Sequence, residues 1–482
     1  MSDSADRIGS ERLTRRSLLR GLLVGTALTL GGSLLAACQQ AATPSPTTGP
    51  TSAPAAALIK PTTAPAASPA AAASPAASPK PAASPAAAAS PAASPAAQQA
   101  PAAAGAAPSS IKIGAAVGLT GRYASGGEQI KNGYELAIKD VNAGGGAMVK
   151  AFGRKIPLEI NILDDASDAN QTAQRMETLN SSGIVAYFGG FGSDLHAAAA
   201  AVAEKNKVPY IGVAFALYSI HQQGYKYLFS PFPKSPSLTK AIFDLMDTLN
   251  PKPAKVAIFA ERTDWGTEMA TGWKQQAGSH AGFDVAVDAQ YAPGSTDFSS
   301  MLLQAKSANP DAVLMVPTPP DGIAIVKQMK ELDINPKLLN IIRASDSGAW
   351  STALGKDGDF TIGAPGWGAD LKYPGNADMV KAYQAAYNKP PEGVVGAAYA
   401  VVQVMTDALG RADSVDRDAL RSAIAGTNMT TSVIGPISFN DDGTGKVVTI
   451  YEQWQNGKQV TVWPPDQVGG PIQYPAKPFA QR

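Results

Sequence analysis

From Ile111 onward the sequence predicts an α/β protein of two lobes, each a mostly parallel sheet flanked by helices. Short apolar runs alternate there with amphipathic helical segments, the pattern of strands buried on both faces. The stretch holds roughly 370 residues, more than a single core comfortably serves, so two such domains are expected. Residues 229–236, Phe-Ser-Pro-Phe-Pro-Lys-Ser-Pro, form no regular element and read as a crossing between lobes.

The strands follow in order as Ile111–Val117, Leu158–Leu163, Val185–Phe188, Tyr210–Val213, Val256–Phe259, Val285–Tyr291, Ala312–Val316 and Leu339–Ile342. Between the first two, Ile130, Tyr134, Ala137, Ile138 and Val141 recur at helical spacing and make one apolar stripe. Asp194–Asn206, Asp297–Ala308 and Gly322–Leu332 read as helices in the same way. A second extended stretch, Thr361–Pro374, carries Gly363, Pro365, Gly366 and Gly368 and returns the chain to the first lobe. Ala377–Gly426 is helical. From Ile437 the tail reads as β structure, with a turn at Asp441-Asp442-Gly443 before a strand over Val447–Gln455.

The first 108 residues are of another kind. Arg15 and Arg16, followed by Ser17-Leu18-Leu19, resemble a twin-arginine export motif, and an uncharged apolar run reaches Ala37. That run is short and only mildly hydrophobic for a spanning helix. Leu35-Ala36-Ala37-Cys38 resembles a bacterial lipobox, which implies cleavage before Cys38, its lipidation and an export signal over residues 1–37. From Ala41 to Pro108 the chain is almost wholly Ala, Pro, Ser and Thr, with Lys60 and Lys80 its only charges. Recurrent proline and the lack of large apolar groups predict a semi-extended tether, about 200 Å long at full stretch. Residues 38–108 are therefore read as a lipidated cysteine and a disordered linker.

Composition narrows the function. The formal net charge is +1, so no nucleic-acid partner is expected. A single cysteine and three scattered histidines, His196, His221 and His280, point to no metal and no cofactor. His196 is expected on the exposed part of a helix. No GxSxG elbow surrounds Ser193, and Gly443–Lys446 lacks the rest of a phosphate loop, so no catalytic residue is assigned and no enzyme is expected.

Ligands of open parallel sheets collect beyond the carboxyl ends of the strands. Those ends carry Thr120, Arg122 and Tyr123, then Gly189–Ser193, then Ala214, Phe215 and Ala216. In the second half they carry Glu261, Trp265, Thr318, Arg343, Ser345 and Asp346. Ser193 opens a helix after a glycine-rich turn, where its hydroxyl either caps the helix or, with the free amides beside it, meets a carboxylate. Asp194 places a negative charge at the same helix end. Trp265 is a ligand wall or a packing residue; Asp346 pairs a ligand ammonium or is a solvated loop acid.

The strings IKIGAAVGLTGRYASGGEQIKNGYELAIKDVNAGGG, GRKIPLEINILDDASDANQTAQ, KVAIFAERTDWGTEMATGWKQQ and VIGPISFNDDGTGK resemble the leucine/isoleucine/valine-binding protein family. These are type I periplasmic binding proteins of ABC importers, and the resemblance runs from Ile111 to about Trp463. It implies two lobes joined by three crossovers and closing on ligand like a hinge. Lobe 1 then comprises 109–229 with about 366–446 and lobe 2 comprises 230–365 with about 447–468, leaving 469–482 as a C-terminal tail. It further implies that Ser193 holds an α-carboxylate and Phe191 makes a backbone contact, while Ala214 offers a carbonyl and Asp346 a carboxylate to the ammonium. Trp265 falls on an aromatic wall, and Tyr123 is a further ligand-binding candidate. Ala216 stands where members use a threonine hydroxyl, and Thr318 replaces an aromatic. Losing a hydroxyl to a charged group weakens binding by about 1.5–3 kcal/mol unless another group substitutes. The expected partners are an amino acid, amide or small carboxylate, an ABC permease, and the outer face of a bacterial membrane reached through Cys38, with the chain a monomer. Ligand sensing or cell-envelope regulation on the same fold is the alternative.

Overall fold

The computed structural model describes residues 106–482. Arg15, Arg16, Cys38, the export signal and the linker as far as residue 105 lie outside the described residues. Among the described residues no helix is long and apolar enough to cross a membrane.

The chain runs β1 (Ile111–Val117), α1 (Ala124–Ala143), a small hairpin of β2 (Ala147–Val149) and β3 (Arg154–Ile156), β4 (Leu158–Asp164), α2 (Ala169–Asn180) and β5 (Ala186–Phe188). α3 (Ser193–Asn206), β6 (Tyr210–Ile211) and β7 (Leu228–Phe229) follow. These strands form a five-stranded sheet ordered β4-β1-β5-β6-β7, parallel throughout. β1 is its spine: Ile113, Ala115 and Val117 are fully buried, and β4 pairs with it from Ile111↔Leu158 to Val117↔Asp164.

After the first crossover come α4 (Ser235–Asp247), β8 (Lys255–Glu261), α5 (Asp264–Ser279), β9 (Asp284–Tyr291) and α6 (Ser299–Ala308). β10 (Ala312–Met315), α7 (Pro319–Glu331), β11 (Leu338–Ile341), α8 (Gly348–Leu354) and β12 (Thr361–Gly363) complete this run. The chain then makes α9 (Asn376–Tyr387), α10 (Val395–Arg411), α11 (Arg417–Ala425) and a hairpin of β13 (Asn428–Met429) and β14 (Ile437–Ser438). It ends with β15 (Tyr451–Gln455) and β16 (Lys458–Trp463). The second sheet is ordered β16-β15-β12-β11-β10-β8-β9; β15 and β16 are its antiparallel members. The core of the first lobe includes α9, α10 and α11. α10 approaches α1 at Gly133, where a Cβ would lie 2.6 Å from Val395 O, so only glycine admits the contact.

The periodic segments fold as their patterns require. The α1 stripe Ile130, Tyr134, Ala137 and Ile138 is buried. Three local expectations differ. The strand expected over Val447–Gln455 starts at Tyr451, because the chain before it is held elsewhere: Gly445 N donates to Ser230 O (2.9 Å) and Lys446 N to Ser438 O (2.7 Å). This contact joins the first and third crossovers. The Pro-rich segment gives its ends to regular elements, Phe229 to β7 and Ser235 to the first turn of α4, where a proline is compatible with the helix. His196, expected exposed, is buried at 1% exposure. Gly189 and Gly212 leave room for its ring; Nδ1–H donates to Gly192 O (2.8 Å), and the ring stacks on Phe215 at 4.3 Å.

Candidate functional site

The carboxyl ends of β1, β5 and β6 face those of β8 and β11 across the cleft. β5 ends in Gly189 and Gly190, and Gly192 then turns at φ +103 into α3. Gly192, not Ser193, is the N-cap, and Ser193 is the first helical residue. The hydroxyl of Ser193 accepts from Leu217 N at 3.4 Å, so no side chain caps the helix. The first helical amide bond runs from His196 N to Gly192 O (3.2 Å), which leaves the amides of Ser193, Asp194 and Leu195 without an intrahelical acceptor.

The Asp194 carboxylate stays beside this helix end, where its charge is met by a partner. The carboxylate pairs with Arg122 and accepts from Tyr123 OH at 3.0 Å. Arg122 also reaches Glu261 Oε1 across the cleft at 3.5 Å. Glu261 is fully buried and accepts from Arg343 Nη2 at 2.7 Å; Arg343 Nη1 donates to Tyr123 OH at 3.3 Å. Two arginines and two carboxylates thus knit the lobes together. A further tie comes from α5, where Glu268 accepts from the amides of Tyr218 (2.7 Å) and Ser219 (2.9 Å).

Inside this closure lies a cavity. Phe191, Ser193, Ala214 and Ala216 line it from the first lobe, and Trp265 and Asp346 from the second. Six of the eight residues proposed from sequence therefore share one wall-to-wall space. Tyr123 lines an adjoining pocket that shares Ser193, Trp265 and Arg343. Thr318 sits apart: its hydroxyl accepts from Asp321 N (3.4 Å) and caps α7. The cavity also takes Phe215, Phe232, Leu238, Ile342, Arg343, Ala364 and Val394. Phe215 and Arg343 had been visible as strand-tip residues. Ile342 closes a strand the sequence shows; Phe232, Leu238, Ala364 and Val394 come from crossovers and helix starts, and carry no local signal.

The walls are mainly aromatic or aliphatic, and the polar groups are few. Lys234, buried in the first crossover, donates to Phe215 O and Ser230 Oγ, both at 2.8 Å, and holds Phe215 in place. Arg343 lies 4.9 Å over the Trp265 ring. Two buried atoms of wall residues, Trp265 Nε1 and Asp346 Oδ1, have no hydrogen-bond partner among the described residues, a donor and an acceptor left free beside the cavity. Burial raises the Asp346 carboxyl to about 7, against the opposing pull of Arg343. A cationic group beside it would favour its ionised form. Ala214 (φ +50) and Arg343 (φ +76) adopt the left-handed region that residues with a Cβ rarely occupy. One such residue on each side of the cleft marks backbone shaped for the site. The Ala214 carbonyl already accepts from Gly192 N at 3.2 Å.

The space reachable by the centre of a water molecule is about 20 Å³. Wider surface clefts of about 890 Å³ at Arg482 and 880 Å³ at Ser109 lie away from the strand tips and bring together no such set of buried polar atoms.

Known proteins place this geometry. A "Leu/Ile/Val-binding protein homolog 8" of Brucella abortus is 28% identical, over 74% of this chain and 91% of the relative. The Streptococcus pneumoniae branched-chain amino acid transporter substrate-binding protein LivJ, solved with isoleucine, superposes with TM-score 0.66 at 22% identity, over 74% of this chain and all of that one. A solute-binding protein of an R. palustris ABC transporter, solved with benzoate, gives TM-score 0.64 at 21% identity, over 76% and 97%. The family model described as periplasmic binding protein matches residues 110–457. With its two sheets, its crossovers and its cleft at the strand tips, the chain belongs to the periplasmic binding protein family, whose members bind solutes.

Proposed function

We propose that the chain is an exported lipoprotein that captures an amino acid or related small polar metabolite between its lobes and passes it to an ABC permease. One observation carries the reading: Ser193 at the start of α3 and the unpartnered Asp346 of the opposite lobe line the same closed cavity. Helix amides suit a carboxylate and a buried carboxylate suits an ammonium, so the two sides together suit a zwitterion. The names of the Brucella relative and of the isoleucine-bound neighbour point the same way, while the benzoate complex keeps small aromatic acids in the panel. Lipid attachment at Cys38 and the Ala/Pro/Ser tether would hold the binding lobes outside the cytoplasmic membrane.

The test is a thermal-shift screen of the full chain against amino acids, amides, urea and aromatic acids. A ligand at a hundredfold its Kd adds about 2.7 kcal/mol of stability. A screen in which no compound raises Tm would defeat the reading. Cys38→Ala is expected to release the chain from membranes; retention in the membrane fraction would defeat the lipid anchor alone.

A further inference from the structure

The cavity's carboxylate, Asp346, has a second acid behind it. β12 and β15 run antiparallel with Gly363 opposite Glu452. Residues directly opposed in such a pair project on the same face, with Cβ atoms about 5 Å apart. Gly363 identifies that face, because a Cβ there would stand 2.5 Å from Ser345 Oγ and 3.2 Å from Asp346 Oδ1. Glu452 therefore projects on the side where Asp346 lies. Their exposures are 3% for Glu452 and 4% for Asp346. Glu452 Oε2 and Asp346 Oδ1 both lack a hydrogen-bond partner among the described residues.

Asp370 also faces Glu452: a Cβ on Gly368 would stand 2.9 Å from Glu452 Oε1 and 3.1 Å from Asp370 Oδ1. Arg343, at the end of β11, favours ionised Asp346; Asp370, on the loop after β12, disfavours ionised Glu452. Asp370 is occupied by Thr461 N (2.9 Å), and Glu392 accepts from Gly348 N (2.7 Å) at the start of α8. The other neighbours are neutral: Thr461 pairs with Glu452 in the sheet, Gln459 Nε2 donates to Ser345 O (3.4 Å), and Gln129 of α1 accepts from Val394 N (3.1 Å). Neighbouring carboxyls out of water do not both ionise readily.

We propose that Asp346 and Glu452 are one acid pair holding a single proton, and that a ligand bearing a protonated amine draws the negative charge onto Asp346 while Glu452 keeps the proton. Glu452 is then a positioning residue for the ligand's cation, acting through Asp346. No proton need leave the protein: the ammonium keeps its own and the shared one settles on Glu452. The inference rests on the solute-capture reading of the cavity. Burial lifts both carboxyls, Asp346 to about 7 and Glu452 well above the usual value for glutamate, with Asp370 and Asp346 adding to the shift of Glu452.

The experiment uses the full chain, with isobutylammonium and L-isoleucine as amine probes and urea and benzoate as probes without an amine cation. Acids raised above their unfolded values stabilise at low pH and lose that contribution as pH rises through the folded value. The wild type should therefore go on losing thermal stability as pH rises above about 6.5, beyond the titration of unfolded histidine. Glu452→Gln, which mimics the protonated acid, should remove most of that loss. An equal loss in both would overturn the pair. The infrared C=O band of a protonated carboxyl in the wild type near neutral pH gives a reading that needs no variant, and its absence would overturn the pair as well. Calorimetry should show Glu452→Gln within about threefold of wild type for the amine probes and Asp346→Asn weaker by more than about tenfold. Equal losses in the two variants would show that Glu452 carries charge and overturn the assignment. A wild type that takes urea or benzoate but neither amine would overturn this proposal and leave solute capture standing; one that takes none of the four, with the proton readouts as expected, would keep the pair and remove its ligand.

Discussion

Ser193 Oγ is buried and takes only a long bond from Leu217 N, 3.4 Å, so little of the fold depends on it. Ser193→Ala is accordingly expected to weaken a carboxylate-bearing ligand by about 0.5–1.5 kcal/mol while leaving Tm nearly unchanged. Calorimetry beside a thermal melt checks both halves; unchanged affinity would take Ser193 out of the site. Ser193, Trp265 and Asp346 were legible because each follows a recognisable strand end. Phe232, Leu238, Ala364 and Val394 were not: two sit in or beside crossovers and two open helices, and only the closing of one lobe on the other makes them neighbours. His196 misled for a related reason. An imidazole on an alanine-rich helix looks solvated until the glycines that receive it, Gly189 and Gly212, arrive from other strands. Asp194 also needed tertiary structure, since Arg122 lies 72 residues away in sequence.

At the level of elements, the turn between β5 and α3 sets the helix start against the cavity. Gly192 holds φ +103, and a Cβ there would meet the Tyr123 ring at 2.7 Å. Gly192→Ala should cost about 1–3 kcal/mol from backbone strain alone. Chemical denaturation measures it, and a variant as stable as wild type would show that the turn is not constrained as described. Strand and helix periods were readable in the sequence because burial on one or two faces dictates them. The start of the strand before Gln455 was misread because another segment takes over the backbone: Gly445 pairs with Ser230 of the first crossover and Lys446 with Ser438 of β14 before β15 can begin.

For the molecule as a whole, the two-lobed architecture followed from length and alternation, whereas its closed state did not. That state depends on side chains meeting from distant strand tips, Arg122 and Tyr123 on one side and Glu261 and Arg343 on the other. Acid should weaken the fold through its buried histidines. Desolvation holds His196 and His221 to about 3, so both stay neutral when folded. Depressed values of this kind contribute fully above the unfolded histidine value and are lost as pH falls toward the folded one. Against the opposing gain from the raised Asp346 and Glu452 carboxyls, which both chains share, His221→Gln should keep more of its Tm than the wild type as pH falls from about 6 to about 3. Parallel acid limbs in the two chains would show that His221 does not contribute.

A cavity with about 20 Å³ open to water centres has no room for a metabolite, so on the proposed reading a solute enters and leaves only when the lobes part. On that reading, residence time would also depend on how often Arg122 and Glu261 part. Arg122 is one-third exposed at that seam, so dissolved salt reaches it and should hasten escape without touching the chamber. On the proposed reading, unloading at a permease would then be a matter of forcing a door.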